Sequence, residues 1–529
     1  MTDMDTLRPI AIDTADFPQM RREGKIYVDK TAYFHDLVAN RDAKLFFLSR
    51  PRHFGKSLMI STLKAIFEGR REFFDGLAIS QTDWKWEKFP VIHLDMSNVE
   101  TSDIESFEAS LAATVACFLE RAGFHYDSKI SPSINFGNAI VSLSKSNADR
   151  RTVILIDEYD APVSRTLNNP ELASSIRDCL SSIYIHIKSN DEHVRFTMMT
   201  GESKFTPMSV FSSLNNLVNI SMYDEYATML GYTEDELTAN YEPHLRKHAE
   251  IMGLEYDEYR KELKHWYNGF RFSDFNTETV YCPVSVGLAL TAMKPMFSET
   301  WTDADRPSML MNLLKSEDLI GVDMNRISCI SKYDFDVSDL YAKNTIGMLY
   351  QSGYLTIKDY SALIDSYTLG VPNEEIRRIL SPIITALTGV KDMNWASSIG
   401  NKLLGCDWEG FFADLKSLYA SLPYGSNEQP VHEYSFQGIL GTIMAAQGIV
   451  CRAECVLSNG RADIIAEHPV GIYIFELKVD EPVDKAFAQI ESKGYAEPYK
   501  ADGRPIWLIA LSFDRQTRRL VDHAVRQEK

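Results

Sequence analysis

Short apolar runs alternate with segments of helical spacing through the N-terminal part of the chain. Four of these runs are predicted strands, at residues 44–49, 90–95, 151–161 and 193–203. The segment LMISTLKAIFEG follows the first run with apolar residues at helical spacing, and a second helix is predicted at 103–121. Strands that are separated by helices predict a parallel sheet with helices packed on its faces.

The pattern changes near Met222 and again in the turn-rich stretch at 421–430. Between these points the spacing predicts a mainly helical region, interrupted at WYNGF (266–270) and SGYLTI (352–357). Beyond them the predicted order is a helix at 433–447, a strand at 452–457, a hairpin at 461–479, a helix at 482–498 and a strand at 505–511. We therefore predict three domains, at residues 1–222, 223–423 and 424–529.

Composition places the chain among ordinary globular proteins. Of its 529 residues, 45% are hydrophobic and 24% are charged. No run approaches the length of a membrane span, and the acidic N-terminus lacks the apolar core of a signal peptide. The seven cysteines are scattered without C-x-x-C spacing. These features predict a cytoplasmic protein that has no membrane segment and no structural zinc site.

The formal net charge of -19 counts against an extended nucleic-acid surface, which needs positive charge. The charge is unevenly distributed, however. From Ala420 onward there are twelve Lys and Arg residues against fifteen Asp and Glu residues. A local basic face in the C-terminal part therefore remains compatible with the composition.

The stretch RPRHFGKSL, residues 50–58, ends like a phosphate-binding loop, although Arg50 stands where such loops begin with glycine. Gly55 would let the backbone approach the phosphates, Lys56 would reach the β- and γ-phosphates, and Ser57 would ligate Mg²⁺. The alternative is a chance G-K-S on a surface helix. The predicted nucleotide contacts in this loop are Arg52, Phe54, Gly55, Lys56, Ser57 and Leu58.

A second motif, VILIDEYDAP, ends a predicted buried strand with two acids. Asp157 would hold Mg²⁺ through water, and Glu158 would activate the attacking water. Thr200, at the end of the next strand, is a candidate sensor of the γ-phosphate, with an ordinary strand-end threonine as its alternative. Two motifs at the carboxyl ends of parallel strands favour a nucleotide site over coincidence, because ligands bind at that edge.

The stretch GRADIIAEHPVGIYIFELKVD, residues 460–480, brings acids and a lysine together. Glu476 and Lys478 share one face of a strand, and Asp463 lies nearly opposite them in a hairpin of this length. Asp463 and Glu476 are candidate Mg²⁺ ligands, and Lys478 would position a water or stabilise phosphorane charge. Glu433 would complete the metal shell, with Glu454 as its rival. The alternative is a surface hairpin with a salt bridge.

Four stretches resemble one protein family: YVDKT (27–31), FFLSRPRHFGKSL (46–58), VILIDEYDAP (153–162) and MTGESKFTPMSVFSSLNNL (199–217). The family is that of AAA-ATPase-like proteins with a C-terminal nuclease-like domain. Its loop usually reads R-P-R-R-F-G-K-S, so the arginine at position 50 is normal for it, and His53 replaces one arginine. The D-x12-E-x-K pattern resembles the PD-(D/E)XK nuclease superfamily, in which Gln489 and Tyr495 match a Q-x5-Y element.

The resemblance implies an α/β fold: a P-loop NTPase parallel sheet with flanking helices, a helical middle region and a small restriction-endonuclease-like domain. It implies ATP and Mg²⁺ as cofactors and DNA or RNA as partner. The leading hypothesis is an ATPase coupled to a nuclease. A nucleotide-dependent switch with a non-catalytic nuclease-like platform is the alternative, and an inactive remnant is a third. An arginine finger could come from Arg50, Arg52, Arg165 or a neighbouring subunit of an oligomer.

Overall fold

The computed structural model describes residues 7–528 except 149, 203–215, 293–295, 302–323, 325, 332–344, 388–392, 422–435, 438–439, 442–443, 445–448, 458–459 and 518. The chain divides into two compact units. The first, here the N-terminal unit, comprises Met1–Thr300 and Cys329–Thr368, and the second, the C-terminal unit, comprises Trp301–Ser328 and Leu369–Lys529. The three domains that the sequence predicts remain a proposal beside this division.

A five-stranded parallel sheet forms the centre of the N-terminal unit. Its strands are β1 (Leu45–Ser49), β2 (Val91–Asp95), β3 (Thr152–Asp157), β4 (Val194–Gly201) and β5 (Val218–Asn219), in the order β2-β3-β4-β1-β5. The accompanying helices are α1 (Phe17–Arg22), α2 (Thr31–Ala39), α3 (Lys56–Phe67), α4 (Ile104–Arg121), α5 (Pro132–Ser146), α6 (Ala161–Ser164) and α7 (Pro170–Ser189).

Burial explains why these strands form the centre of the unit. All six residues of β3 are buried, as expected of a strand covered by helices on both faces. The apolar faces of α4, α5 and α7 pack with β2 and β3 in one hydrophobic core. Because the strands are parallel, their carboxyl ends meet at a single edge of the sheet. The predicted phosphate loop and the predicted acidic pair both lie at that edge.

The N-terminal unit continues in helices that pack around a second core, α8 (Glu234–Met252), α9 (Tyr256–Tyr267) and α10 (Pro283–Thr291). A further helix, α11 (Thr345–Gln351), follows later in the chain. Helix α8 begins with the expected capping box, in which Thr233 accepts from the Glu236 N–H and Glu236 accepts from the Thr233 N–H. A three-stranded sheet was not predicted; it has the order β6-β8-β7, with β6 at Ile327–Ser331, β7 at Thr356–Ser361 and β8 at Ser366–Gly370.

The C-terminal unit combines helices with a mixed sheet. Helix α12 (Glu374–Leu387) comes first, and α13 (Met393–Leu404), α14 (Trp408–Ser421) and, later in the chain, α15 (Val483–Lys493) share hydrophobic cores with the sheet. The sheet has the order β13-β12-β11-β10-β9, formed by Val450–Leu457, Gly460–His468, Gly471–Val479, Ile506–Phe513 and Leu520–Gln527 for β9 to β13. Strands β10 and β11 form the predicted hairpin. The predicted fold class is therefore confirmed.

Candidate functional site

The loop between β1 and α3 has the backbone of an anion-binding turn. Gly55 caps α3 with a φ of 92°, in the left-handed region that favours glycine. A side chain there would meet no atom within 4 Å, so the backbone angle rather than space accounts for the glycine. His53 also has a positive φ, of 69°. The loop therefore delivers the chain to a helix N-terminus whose free N–H groups favour anions.

Lys56 is held against its own loop. Its side chain is 3% exposed, and Nζ donates to the carbonyls of Arg50 at 3.0 Å and Pro51 at 3.2 Å. The same atom lies 3.4 Å from Oε1 of Glu158. The structure thus brings together the lysine of the first motif and the second acid of the other motif.

The acidic motif lies at the ends of the neighbouring strands β3 and β4. Thr200 Oγ1 donates to Asp157 Oδ1 at 2.5 Å, and both residues are buried. Glu158 follows with a φ of 50°, and its side chain retains 23% of its exposure. The left-handed backbone turns Glu158 out of the strand direction, so its carboxylate reaches Lys56 while Asp157 stays bonded to Thr200.

Gly201 lies directly against the turn that follows Glu158. A Cβ on Gly201 would collide with the carboxylate of Asp160 and would lie 2.6 Å from the ring of Tyr159. Asp160 Oδ1 accepts from the Glu202 N–H at 3.2 Å, and the Tyr159 N–H donates to the Thr200 carbonyl at 3.0 Å. Position 201 therefore has no space for any side chain, although its φ is ordinary.

Arg50 points into the protein rather than toward the nucleotide edge. It is 2% exposed, and its Nη1 and Nη2 atoms donate to the carbonyls of Ser49 at 3.0 Å, Ser221 at 2.6 Å and Tyr226 at 3.1 Å. Its guanidinium carbon lies 4.2 Å from the centroid of the Phe272 ring. Burial lowers the pKa of this guanidinium to about 10. These contacts fix the loop after β1 to the segment that contains Ser221 and Tyr226.

Aromatic residues clamp the same loop. Phe54 is 1% exposed and packs edge-to-face against Phe270 at 4.9 Å and Phe272 at 5.2 Å between ring centroids. Cys282 Sγ contacts the His53 carbonyl at 3.7 Å. The buried aromatics of WYNGF are thus packing residues. Their partner was not predicted, because nothing in local periodicity links residues that are more than two hundred positions apart.

The other predicted loop contacts have varied surroundings. Arg52 forms an ion pair with Glu202. Ser57 and Leu58 occupy the first turn of α3, and both are half-buried. Arg165 donates to carbonyls in the segment that follows β2. The contacts of these residues are compatible with a catalytic role and with a structural role.

Lys30, in the YVDKT stretch, is a packing residue at the start of α2. Its Nζ atom donates to the Thr228 carbonyl and to Glu236 Oε2, both at 2.6 Å. Asp29 Oδ1 accepts from the Thr31 N–H at 2.8 Å. These contacts are those of a turn at the N-terminus of a helix.

The second constellation lies on the hairpin of β10 and β11. Ile464 pairs with Phe475, so the preceding Asp463 and the following Glu476 face each other across the two strands. Asp463 Oδ2 accepts from the Leu477 N–H and Oδ1 from Gln437 Nε2, each at 2.6 Å. Gln437 was missed by sequence reasoning; its only signal is a polar residue inside an apolar segment.

Glu476 and Lys478 form a buried pair. Glu476 is 0% exposed, and Lys478 Nζ donates to its Oε1 at 2.8 Å and to the Leu477 carbonyl at 2.9 Å. Burial raises the pKa of Glu476 to about 7, nearby Asp463 adds to the rise, and Lys478 opposes it. Glu476 Oε2 is buried without a hydrogen-bond partner in the described structure. An unsatisfied carboxylate oxygen at this place is an available ligand for a cation.

A third carboxylate is not established. Glu433 lies outside the described residues, and Glu454 lies in β9 at a position whose side chain is not described. Among the described residues, no group of three or more His, Cys, Asp or Glu side chains could hold a metal ion. The two residues of the Q-x5-Y element lie nearby and contact each other: Gln489 Nε2 donates to Tyr495 Oη at 3.3 Å, and Tyr495 Oη donates to the Arg461 carbonyl at 2.7 Å.

Comparison with known families matches both parts of the chain. Residues 9–211 match a family model described as "Predicted AAA-ATPase". Residues 431–523 match the PD-(D/E)XK nuclease superfamily. The two matches contain the phosphate loop and the acidic hairpin, respectively, and the AAA-ATPase-like match implies nucleotide binding. No helix in the described parts of the chain combines the length and apolar character needed to cross a bilayer.

A curated relative matches nearly the full length. It is described as "Uncharacterized protein in vnfD 5'region" of Azotobacter chroococcum mcd 1, and it is 32% identical over 531 residues, with 98% of each chain covered. Among solved structures, the Aeropyrum pernix ORC2 protein (ADPNP-ADP complexes) shares 11% identity over 72% of this chain and 95% of its own. Its TM-score of 0.26 is too low to carry an argument.

Proposed function

Because this chain belongs to the AAA-ATPase-like family whose members carry a C-terminal PD-(D/E)XK nuclease superfamily domain, we propose that it is an ATPase coupled to a nuclease. In this proposal the N-terminal unit binds and hydrolyses ATP, and the hairpin of the C-terminal unit cleaves phosphodiester bonds in DNA or RNA. The observation that carries the proposal is that each unit brings a lysine to a carboxylate at the position its motif requires.

The nucleotide part follows from the surroundings of Lys56. Its ammonium is bonded to two carbonyls and Glu158, and an incoming triphosphate offers stronger, charged acceptors for the same protons. Once Lys56 turns to the phosphates, Glu158 is released as a base that accepts a proton from the attacking water. Asp157, oriented by Thr200, and Ser57 would hold Mg²⁺, which supplies charge neutralisation at the phosphates.

The nuclease part rests on the fit of a divalent cation to the hairpin. The orphaned Oε2 atom of Glu476 and the carboxylate of Asp463 would hold Mg²⁺, which lowers the pKa of a bound water. Gln437 and the Leu477 N–H fix the orientation of Asp463. Lys478 would leave Glu476 Oε1 for a phosphate oxygen and stabilise the charge that develops there.

A second candidate function is favoured by the hydrogen bonds of Asp463. Both of its oxygens already accept short bonds, and Lys478 already neutralises Glu476, so the hairpin is well satisfied without a cation apart from Glu476 Oε2. Such a site could be a binding platform that does not cleave. The chain would then be a nucleotide-dependent switch.

ATP binding is tested by titrating full-length protein with a fluorescent ATP analogue. Lys56→Ala is expected to weaken binding about 100-fold, because it removes charge-assisted bonds to the phosphates. Lys64→Ala, on an exposed face of the same helix, is the matched control and should bind normally. Glu158→Gln should bind ATP and lose hydrolysis by about 100-fold or more. Equal binding by Lys56→Ala and the wild type would remove the nucleotide site.

Nuclease activity is tested by incubating the protein with labelled single- and double-stranded DNA and RNA, with and without ATP and Mg²⁺. Asp463→Asn should lose cleavage by at least about 100-fold and keep its affinity for ATP. A chelator should have the same effect on the wild type. Binding without cleavage in the wild type would instead establish the platform. We further propose a cytoplasmic location, which is supported by the six described cysteines because none of them is in a disulfide, and assembly into an oligomer remains a hypothesis.

A further inference from the structure

A cavity of about 990 Å³ opens at the amino-terminal edge of the parallel sheet. Its walls come from the segments that lead into the strands: residues 39–45 into β1, 83–89 toward β2, 150–151 into β3 and 191–195 into β4. The phosphate loop and the acidic motif lie at the carboxyl ends of these strands. The cavity is therefore at the edge of the sheet opposite the proposed ATP site.

The charged side chains around this cavity are predominantly cationic. They are Arg41, Lys44, Lys85, Arg150, Arg151 and Arg195, with Asp42, Asp83, Glu87 and Asp191 as the carboxylates. Lys44 Nζ lies 2.9 Å from Asp191 Oδ1, so this pair is internally neutralised. Five cations then face three carboxylates. This is a local excess of positive charge in a chain whose net charge is -19.

Three of these cationic side chains can contact a ligand without first giving up a bond to another described residue. Arg41, Lys85 and Arg151 are exposed and form no hydrogen bond or ion pair with any residue that the structure describes. Such side chains lose little when they transfer to a ligand, because no internal bond is broken. Exposed cations on separate segments suit a chain of phosphates, whereas a small-molecule pocket is usually enclosed and mostly apolar.

Arg195 is the half-buried member of the cluster. Its Nη2 atom donates to the Val38 carbonyl at 3.0 Å, and its guanidinium carbon lies 5.8 Å from the centroid of the Phe89 ring. Burial lowers the pKa of Arg195, and the nearby Arg151 lowers it further, while Glu87 opposes this. Two guanidinium groups therefore repel each other at the cavity, and a bound anion would relieve that repulsion.

Aromatic groups lie among the cations. Trp84 and Phe89 line the cavity, and the indole Nε1 of Trp84 is buried with no hydrogen-bond partner in the described part of the chain. Positive grooves interleaved with aromatic rings are the usual means of holding single-stranded nucleic acid, because bases stack while cations contact the backbone.

We propose that this cavity binds the phosphate backbone of single-stranded nucleic acid. The inference rests on the proposed action on nucleic acid and adds a binding surface to the ATPase side of the molecule. Arg41, Lys85 and Arg151 contact phosphates, and Trp84 provides an aromatic surface for a base.

The test measures fluorescence anisotropy of labelled 20-nucleotide single strands with full-length protein in EDTA, so that no cleavage occurs. The triple variant Arg41→Ala/Lys85→Ala/Arg151→Ala should bind about tenfold more weakly at low salt. Its plot of log affinity against log salt should be shallower by about 2, since each phosphate contact contributes about 0.7 for single strands. The control Lys129→Ala/Lys145→Ala/Lys261→Ala removes three exposed positive charges outside the cavity and should bind like the wild type.

Several outcomes would overturn the inference. They are equal losses in both triple variants, an unchanged salt slope, a duplex that binds more tightly than the single strand, or complete displacement by pyrophosphate at equal phosphate concentration. ATP binding and Mg²⁺-dependent cleavage are measured on the same variants. If the cavity variant keeps its nucleic-acid affinity while Asp463→Asn abolishes cleavage, the cavity proposal fails and the proposed function stands. If the cavity variant loses strand binding and the wild type never cleaves, the cavity proposal stands and the proposed nuclease activity fails.

Discussion

The two units each pair a lysine with a carboxylate, and they do so in different surroundings. Lys56 Nζ lies 3.4 Å from Glu158, whose side chain is 23% exposed, and it also contacts two carbonyls of its own loop. Lys478 Nζ lies 2.8 Å from Glu476, which is completely buried. Water can therefore reach the carboxylate of the first pair, whereas the carboxylate of the second pair is sealed and only its lysine is slightly exposed, at 10%.

This difference has an energetic meaning. A carboxylate near the surface loses little when its partner leaves, because water replaces the partner. A buried carboxylate whose partner is removed keeps the full cost of its desolvation. The pair in the N-terminal unit is therefore suited to exchanging its partner when a ligand arrives. The pair in the C-terminal unit can separate only when a cation and a phosphate replace both partners, as in the proposed cleavage.

The largest expected effect comes from removing each lysine in turn. Lys478→Met should destabilise the C-terminal unit by about 3–5 kcal/mol, because Glu476 is left buried and unpaired. Lys56→Met should cost the N-terminal unit about 1 kcal/mol or less, since Glu158 can reach water. Native-state hydrogen exchange of peptides from β11 and β3 measures the two units separately in one full-length protein.

An exposed lysine supplies the matched control for this experiment. Lys485 forms an ion pair with Glu481 one helical turn away, and its side chain is 60% exposed. Lys485→Met should change the stability of the C-terminal unit by no more than about 0.5 kcal/mol. Equal losses for Lys478→Met and Lys56→Met would contradict the comparison.

Acid should act on the N-terminal unit through His93. Burial lowers the pKa of His93 to about 4, and nearby Lys64 adds to the effect. Between pH 6.5 and 4 the unfolded chain therefore binds a proton that the folded chain does not, so stability is lost as the pH falls through this range. The loss attributable to His93 should reach about 3 kcal/mol at pH 4.

Urea unfolding at pH 7.5, 5.5 and 4 measures this dependence, with His93→Gln as the comparison. The variant should lose less stability than the wild type as the pH falls. A variant that retains the same pH dependence would show that other groups are responsible.

The substitution Arg50→Lys distinguishes a structural role of Arg50, in holding the phosphate loop, from a role as an arginine finger. The substitution keeps the charge and loses the forked bonds to three carbonyls and the contact with Phe272, so we expect a loss of about 2 kcal/mol in the stability of the N-terminal unit. ATP affinity should fall with it, because the loop loses its support. A finger would instead show a loss of hydrolysis with stability unchanged. Arg246→Lys, at an exposed arginine of α8 that pairs with Glu242, is the control and should change neither stability nor ATP affinity.

The smallest expected effect concerns the Q-x5-Y element. Tyr495→Phe removes the bond to the Arg461 carbonyl and should cost about 1 kcal/mol of stability in the C-terminal unit. If the pair is structural, the cleavage rate is unchanged. A large drop in the rate, measured on the same labelled strands as before, would move Tyr495 into the active site.

Much of this architecture could be predicted from local patterns. Apolar runs that end at or near Ser49, Asp157 and Thr200 specify parallel strands, and parallel strands place their ends at one edge. The alternation along β10 and β11 likewise places Asp463 opposite Glu476, because side chains repeat with period two. In both cases, residues close in sequence or at corresponding strand ends determine the site.

What could not be predicted depends on contacts between distant segments. The direction of Arg50 is set by carbonyls near residues 221 and 226, and the partners of Phe54 lie at Phe270 and Phe272. Gln437 reaches Asp463 from a helical segment whose polarity pattern does not indicate it. The sheet of β6, β7 and β8 escaped prediction because its strands are short and α11 lies between β6 and the other two along the chain. Packing, not local preference, decides each of these features.

The close packing around Gly201 means that a substitution there would displace the neighbouring turn. A single methyl group there would act as a wedge between the end of β4 and the turn that carries Glu158, with no change in charge and no loss of a hydrogen-bonding group. Gly201→Ala would displace Glu158, the base of the proposed ATPase, while leaving every ligand of the triphosphate chemically intact. The variant would therefore keep its affinity for the nucleotide and lose the rate of hydrolysis.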